Sequence, residues 1–359
     1  MRIHNLVHNP KVCVTVVTFN SDRYIRRCLD SILRQEGVDL EIIVVDNASV
    51  DGTRAILKSF KGRIRAVLCD RNLGFAEGQN RAIRAGSGEW VLTLNPDVLL
   101  KPGFIRKLVE AGDADPGAGA VCGKLLSIGP GFEPLPDARI DSTGIFFTPA
   151  MRHFDRGWHE PDGQYSDGME YVFGASAAAA LFRRRMIDDI SVEGHFFDPD
   201  FFVYREDADV AWRAQLLGWR CIYTPAAQAH HVRTVTPANR RSLPALINMH
   251  SVKNRFLMRV KNTTAGVCRR CWAPMIARDV LVLGGSLLWE PSSLKAFWEV
   301  VKCLPRAFRH RRVIMSRRRV ADDELAAWFA FTPTSRPVGH VDLRARQRIL
   351  RPVPETATP

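Results

Sequence analysis

Two groups of residues in this chain have the makings of chemistry. The first is Asn95-Pro96-Asp97, which abruptly stops the run Trp90-Val-Leu-Thr-Leu94. A short apolar run without polar alternation fits a strand buried on both faces. In an open α/β sheet the carboxyl ends of such strands form the ligand crevice. Asp97 is then placed to meet a substrate or a metal, although Asn-Pro-Asp is also a plain turn sequence. The second group is Glu206-Asp207-Ala-Asp209, which opens a helix after the aromatic approach Phe196, Phe197, Phe201, Phe202 and Tyr204. Acids in a first helical turn are partners of the helix dipole. Rings that wall crowded carboxylates off from water have a second effect: one acid is held at a raised pKa, ready to accept a proton.

The elements that must position these groups alternate. Val12–Thr18 is a β-branched run, and Asn20-Ser21-Asp22 offers N-cap chemistry for a helix whose Ile25, Cys28, Leu29, Ile32 and Leu33 fall on one face. Glu41–Val45 is a second strand, ending in Asp46-Asn-Ala-Ser-Val-Asp-Gly-Thr53 and a helix over 54–60. A third strand over 64–68 runs into Asp70-Arg-Asn-Leu-Gly-Phe-Ala-Glu-Gly-Gln-Asn80 and a helix ending near Gly86. Trp90–Leu94 is the fourth. Strands separated by helical crossovers predict an α/β fold with a doubly wound, mostly parallel sheet. The residues following each strand, Thr18 to Asn20, Asp46, Asn72 to Gly74 and Asp97, then gather along one edge as a nucleotide-sized groove. A dinucleotide fold would need G-x-G-x-x-G after the first strand, and Thr18-Phe-Asn-Ser-Asp22 has no glycine, which excludes hydride transfer.

Composition frames these motifs. The 359 residues, 46% hydrophobic, suffice for a catalytic domain of roughly 250 residues plus an appendage. Residues 1–230 carry 27 Lys and Arg against 30 Asp and Glu, whereas residues 231–359 carry 24 against 8, so the net +13 belongs to the last third. The eight cysteines are scattered, and Cys268-Arg-Arg-Cys271 has no second pair or histidine at zinc spacing, so no disulfide framework or metal knuckle is expected. Met1–Pro10 lacks the apolar run of a signal peptide, which predicts a cytoplasmic protein. The longest apolar segment, Val280–Trp289, is bordered by Arg278, Asp279 and Glu290 and reads as too short to cross a bilayer.

Val16-Val-Thr-Phe-Asn-Ser21, Val44-Val-Asp-Asn-Ala-Ser-Val-Asp-Gly-Thr53, Asn72-Leu-Gly-Phe-Ala-Glu-Gly-Gln-Asn80 and Leu94-Asn-Pro-Asp97 resemble the successive signatures of family 2 glycosyltransferases. The subset resembled most is the rhamnosyltransferase-like enzymes. The likeness continues through Phe173-Gly-Ala-Ser-Ala177, His195–Phe202, Tyr204–Arg213, Gly218-Trp219 and His230-His231, covering about residues 11–260. It implies a GT-A fold and inverting chemistry on a nucleotide-diphosphate sugar. It assigns Thr18, Asn20 and Asp46 to the nucleoside, with Asn72, Gly74 and Asn80 near the base, ribose or diphosphate. Asp97 matches the last acid of a D-x-D-type motif that holds a divalent cation, Mg²⁺ or Mn²⁺. Asn95 replaces the first acid, and one Asp with phosphate oxygens and water suffices in principle. His231, or its neighbour His230, falls where related enzymes complete the cation site. Asp207 matches the base that takes the acceptor hydroxyl proton. Glu206 and Asp209 either orient the acceptor or anchor the helix, and Arg213 pairs with one of them.

Between 127 and 170 the chain is rich in Gly, Pro and Asp. In this fold class such insertions carry acceptor recognition, which cannot be read from them. Beyond His231 the character is helical and basic, and Val300–Val320 holds eight Lys and Arg with no acid. Interleaved apolar residues make this an amphipathic segment suited to an anionic membrane surface. No nucleic-acid-binding motif accompanies it, so nucleic acid is not expected as a partner. The expected organisation is a glycosyltransferase domain over 1–260, a basic helical extension over 261–331 and a disordered tail over 332–359. The expected activity is transfer from a nucleotide-diphosphate sugar to a glycan or lipid-linked acceptor, at the inner face of the cell membrane. A non-catalytic sugar-binding protein of the same fold is the alternative.

Overall fold

Lys11–Thr18 (β1) is buried from its second residue to its last and is mostly β-branched, so it has no face for water and lies at the middle of a sheet. The structure, a computed structural model, describes residues 10–233, 245–288 and 294–338. After β1 come Asp22–Leu33 (α1), Asp39–Asp46 (β2), Thr53–Ser59 (α2), Arg65–Leu68 (β3), Gly74–Ala85 (α3) and Trp90–Leu94 (β4). β1 pairs in parallel with β2 on one side and β4 on the other, and β2 with β3. The helix α1 buries Ile25, Cys28, Leu29 and Ile32, the stripe that the sequence predicts. Ser21 holds its N-cap position, yet its hydroxyl accepts from the Phe19 N–H and not from the helix.

The second half of the sheet is mixed. Val98–Leu100 (β5), Phe104–Asp113 (α4), Ala118–Ser127 (β6), Ile140–Ser142 (β7), Ile145–Phe147 (β8), His153–Asp155 (β9), Glu170–Val172 (β10) and Ala179–Arg183 (β11) lead to Arg184–Ile190 (α5), Glu206–Leu216 (α6) and Arg220–His231 (β12). Arg336–Pro337 (β13), near the end of the described chain, completes the strand order β13-β10-β12-β6-β11-β4-β1-β2-β3. β11 is inserted antiparallel between β4 and β6, β12 runs parallel to β6, and β5 lies antiparallel on β12. β12 is the longest of these strands at 12 residues. It breaks register between Thr224 and Gln228, where Pro225 cannot donate to the ladder, and resumes to His231.

Ala245–Asn262 (α7), Ala265–Leu288 (α8), Leu294–Ser316 (α9) and Asp322–Ala326 (α10) form the helical C-terminal region. α7 packs against α6 and α9, and α8 against α10. Three expectations change here. The apolar segment at 280 is the end of a 24-residue helix that carries Pro274 within it, long and apolar enough to cross a membrane by length and composition. The basic run of α9 is largely directed inward. Arg306 pairs with Glu193 and Asp200, Arg309 with Glu193, Arg317 and Arg319 with Asp189, Arg318 with Asp322 and Lys302 with Glu299, while Arg311 donates to the Val260 carbonyl. Glu193, Asp200 and Asp189 thus take Arg306, Arg309, Arg317 and Arg319, the last two just past the end of α9, whereas Lys302 pairs within its own helix, so part of the basic run docks on the preceding region of the fold. Finally, residues 332–338 of the expected disordered tail are placed, with β13 paired to β10; residues 339–359 lie outside the described residues.

Candidate active site

The residues after β1, β2 and β3 meet at the sheet edge, as expected, but several are occupied. Asp46 is fully buried and accepts from Thr18 Oγ1 at 3.0 Å, from the Ser49 N–H and hydroxyl, and from Arg54 Nε at 2.7 Å. It braces the first two loops, tying Thr18 at the end of β1 to Ser49 and Arg54. Asn20, at φ 50°, accepts from the Val50 N–H and is held by Ser49. Asn80 is likewise committed: its amide donates to the Phe197 carbonyl at 2.7 Å and accepts from the Phe197 N–H at 2.9 Å. Asn72 caps Gly74, whose N–H it accepts at 2.8 Å. Gly74 has φ +78°, and a Cβ there would lie 2.5 Å from the Phe202 ring and carbonyl, so no other residue fits without a shift. Asn47, which sequence reading did not single out, donates to the Gly74 carbonyl at 2.9 Å and ties the end of β2 to the start of α3.

Asn95-Pro96-Asp97 turns off β4 into β5. Because β5 pairs with β12 in the register Val98↔His231, the last residue of β12 is delivered beside Asp97, whose carbonyl accepts the Val232 N–H at 3.0 Å. Alternation along β12 points His231, and not His230, at the turn. His231 Nε2 lies 3.5 Å from Asp97 Oδ1, a buried oxygen without a hydrogen-bond partner. His231 Nδ1 donates to Asp141 Oδ2 at 2.8 Å. Asp141 is fully buried and also takes Arg233 at 2.6 Å, and Arg233 reaches on to Asp155 at 2.6 Å. Burial alone would lower the His231 pKa, but Asp141 and then Asp97 outweigh it and hold the imidazolium up at about 10. Burial would raise Asp141, yet His231 and Arg233 bring it down to about 2.

A carboxylate behind a histidine that faces a second carboxylate is the arrangement that orients metal ligands. Asp97 and His231 fit a divalent cation as two protein ligands once the Nε2 proton that now faces Asp97 is displaced, the rest of the shell coming from phosphate and water. No cluster of three or more His, Cys, Asp or Glu suited to a metal is found among the described residues, so a cation there depends on the donor for ligands. Cys268 and Cys271 are free cysteines on α8.

The acids of α6 divide into different roles. Three strained positions within four residues precede or cap the helix, with Phe202 at φ 61° and Tyr204 and Arg205 at φ 68°. Asn254 of α7 clamps them, its buried amide lying 2.7–2.9 Å from the carbonyls of Phe201, Val203 and Tyr204. Asp207, half-buried, lies within reach of the Ala177 N–H at 3.4 Å, and the carbonyl of the next residue, Ala178, accepts the Asn95 N–H at 2.9 Å. One dipeptide of backbone thus joins the α6 carboxylate to the Asn95-Pro96-Asp97 turn. Burial and then the Asp155 carboxylate raise Asp207 to about 6, and burial and then Asp207 push Glu206 well above the usual carboxylate range.

Asp209 and Arg213 do not face an acceptor. Asp209 is fully buried, 3.0 Å from Arg213 Nε, 2.9 Å from Lys261 Nζ and 2.8 Å from Asn262 Nδ2, while Arg213 also caps the Ile190 and Phe196 carbonyls. They anchor α6 to α7, the second of the two roles expected of Asp209. The aromatic wall is also different. Phe196 and Phe197 pack with Phe182 in the core and Phe202 stacks on His250, while a small void beside Asp207 is lined by Phe173, Gly174, Ala175 and Val210. Asp141, Asp155, Arg233 and Asn254 are the residues that sequence reading missed. The first two lie in the insertion, where no periodicity marks them, and nothing local distinguishes the others.

Known proteins resemble this chain in sequence and in fold. Part of the succinoglycan biosynthesis protein ExoO of Rhizobium meliloti is 37% identical over 106 residues, 29% of this chain, but the match spans only 30% of that protein. An N-acetylglucosaminyl-diphospho-decaprenol L-rhamnosyltransferase of Mycobacterium tuberculosis is 26% identical over 234 residues, 61% of this chain and 75% of that one. Among solved structures, S. aureus TarS in complex with UDP-GlcNAc superposes with a TM-score of 0.51 at 16% identity, covering 88% of this chain and 89% of that one. GalNAc-T7 with UDP, GalNAc and Mn²⁺ gives a TM-score of 0.56 at 11% identity over 71% and 48% of the two chains. These structures share the GT-A fold. The family described as Glycosyl transferase family 2 matches residues 13–209, which include β1, the Asn95-Pro96-Asp97 turn and the acids of α6, and the chain belongs to that family.

Proposed function

We propose that this glycosyltransferase moves a sugar with inversion from a nucleotide-diphosphate donor to a hydroxyl of a cell-surface glycan or lipid-linked acceptor, at the inner face of the cell membrane. The observation that carries this reading is the backbone dipeptide Ala177-Ala178, which holds the Asp207 carboxylate and the Asn95-Pro96-Asp97 turn on either side of one site. An inverting displacement needs those two things close together: a base on the acceptor side and a charge-stabilised leaving group on the donor side. Asp207, raised to about 6, is ionised near neutrality yet basic enough to take a proton. It removes the acceptor hydroxyl proton as that oxygen attacks the anomeric carbon, the new C–O bond forms, and the bond to the diphosphate breaks on the opposite face. Glu206 is buried beside Asp207; burial and that neighbour together hold its carboxyl well above the usual carboxylate range and place it next to the base.

A bound Mg²⁺ or Mn²⁺ would supply positive charge to the departing diphosphate. Asp97 and His231 would hold it, with Asp141 fixing the imidazole through Nδ1. Gly74, Asn72 and the clamped loops after β1 and β2 shape the nucleotide groove. Rhamnose is the donor sugar favoured by the resemblance to rhamnosyltransferases, including the decaprenol-linked one from M. tuberculosis. Screening the purified protein for hydrolysis and transfer across a panel of nucleotide sugars, with the product anomer read by NMR, tests the proposal. Retention of configuration, or no turnover of any donor with or without Mn²⁺, would overturn it.

A further inference from the structure

α8 presents an unusual surface. From Cys271 to Leu288 its buried and half-buried residues, among them Cys271, Met275, Asp279 and Ser286, lie on one side of the helix, and Asp279 is held by Arg255 at 3.2 Å and Arg259 at 2.7 Å from α7. The other side is apolar throughout. Trp272, Ile276, Val280, Leu283 and Leu287 follow helical spacing of four, four, three and four residues, and each is 45–64% exposed. No exposed residue of this stretch is charged, whereas Arg269 and Arg270, one turn earlier, are exposed. Nothing among the described residues covers this face. A stripe of aliphatic side chains this long is rarely left to water, and two arginines followed by a tryptophan form the pattern found where a helix meets lipid headgroups.

We propose that α8 is the membrane-contacting element of this protein, lying in the plane of an anionic bilayer with its Trp272–Leu287 stripe among the acyl chains and Arg269 and Arg270 at the phosphates. The charge argument selects lipid over a second copy of the chain, because the stripe is bordered by cations and not by acids that could complement them in a self-contact. The Asp279 pairs decide between lying in the surface and crossing it. A spanning α8 would carry Asp279 into hydrocarbon together with the Arg255 and Arg259 of α7, and ionised side chains there are costly. Attachment by this face is a property of α8 and not of the arginines of α9, most of which are engaged by the catalytic domain. It deepens the membrane placement proposed above without depending on the donor, the acceptor or Asp207.

Sedimentation of the full chain with phosphatidylcholine vesicles containing roughly a third phosphatidylglycerol tests this, since such surfaces attract basic residues. The parent is expected to pellet with them and to be released by alkaline carbonate. The double variant I276E/L283E is expected to lose binding about a hundredfold, each apolar side chain withdrawn from lipid being worth about tenfold. R269Q/R270Q should lose binding to anionic vesicles and change little on phosphatidylcholine alone. Both variants should keep the parent's thermal transition and donor hydrolysis, because the altered side chains face outward. A parent that stays in the supernatant, or an I276E/L283E that pellets like the parent, overturns the inference. So does a dimer in solution that I276E/L283E dissolves without any vesicle binding in the parent, or a parent that resists carbonate. Failure of donor hydrolysis with vesicle binding intact would instead strike the enzymatic reading and leave this one standing.

Discussion

Replacing Asp207 by Asn removes the group that we assign to proton transfer while leaving its surroundings nearly unchanged. The carboxylate accepts from the Ala208 N–H through Oδ1 at 2.7 Å and, more weakly, from the Ala177 N–H through Oδ2 at 3.4 Å; the amide oxygen of Asn keeps the shorter bond and only the weak one is given up. The substitution also relieves repulsion from Glu206 and Asp155, so the fold should be as stable as the parent's or slightly more so. What is lost is the base, worth about 10²- to 10⁴-fold in turnover, or roughly 3–5 kcal/mol of barrier. Donor binding, which rests on the groove and the Asp97 turn, should persist, so kcat falls and the nucleotide Kd does not. The pH profile supplies an independent reading. Since the Asp207 pKa is raised to about 6, the base form is mostly present at pH 7 and is lost as pH falls through 6, leaving about a tenth at pH 5. The parent should therefore show an acid limb near 6, measured with the best donor of the panel, and Asp207→Asn should be slow and flat there. Near-parental turnover in Asp207→Asn would refute the assignment. If Glu206→Gln were dead in its place, the neighbouring carboxylate would be the base.

Asp209→Asn should behave differently from both, since it leaves Lys261 and Arg213 buried with their shared carboxylate gone; a loss of about 3–5 kcal/mol of stability is expected, seen as a lowered melting temperature in calorimetry. Asp97→Ala should abolish Mn²⁺-dependent binding of a nucleoside diphosphate in titration calorimetry; Asp141→Asn, acting through His231, should weaken it by about 10- to 100-fold at a temperature where the variant is folded, and should also lower the melting temperature because Arg233 loses a buried partner. An Asp141→Asn protein with parental Mn²⁺ affinity would deny Asp141 that positioning role. Gly74→Ala should lose nucleotide affinity and some stability together, because its φ of +78° and the Phe202 carbonyl 2.5 Å from the added Cβ force the loop to move; parental affinity would show that the loop yields.

Much of this protein was determined by residues close together in the chain. The β-branched run of β1, the periodic stripe of α1, the five buried residues of β4 and the abrupt Asn95-Pro96-Asp97 stop all follow from local preference and spacing, and the structure reproduces them nearly residue for residue. The gathering of strand ends at one edge follows from the alternation itself. Tertiary structure decided how each polar side chain at that edge is used. Asp46 and Asn80 carry the residue types of ligand contacts, but burial obliges every polar group to find a partner, and loops and backbone arriving from Ser49, Arg54 and Phe197 reached them first. Three acids stand within four positions at the start of α6, and locally only Arg213, one turn on from Asp209, separates them. Lys261 and Asn262, more than fifty residues onward, neutralise Asp209, while Asp207 and Glu206 are left buried without a cation and with raised pKa values. The same distinction governs α9 and α8. Sequence shows charge and hydrophobicity as properties of a segment, but whether an arginine meets an acid or a leucine meets water depends on what the rest of the chain folds against it. In this protein that turned the basic helix inward and left the apolar one exposed.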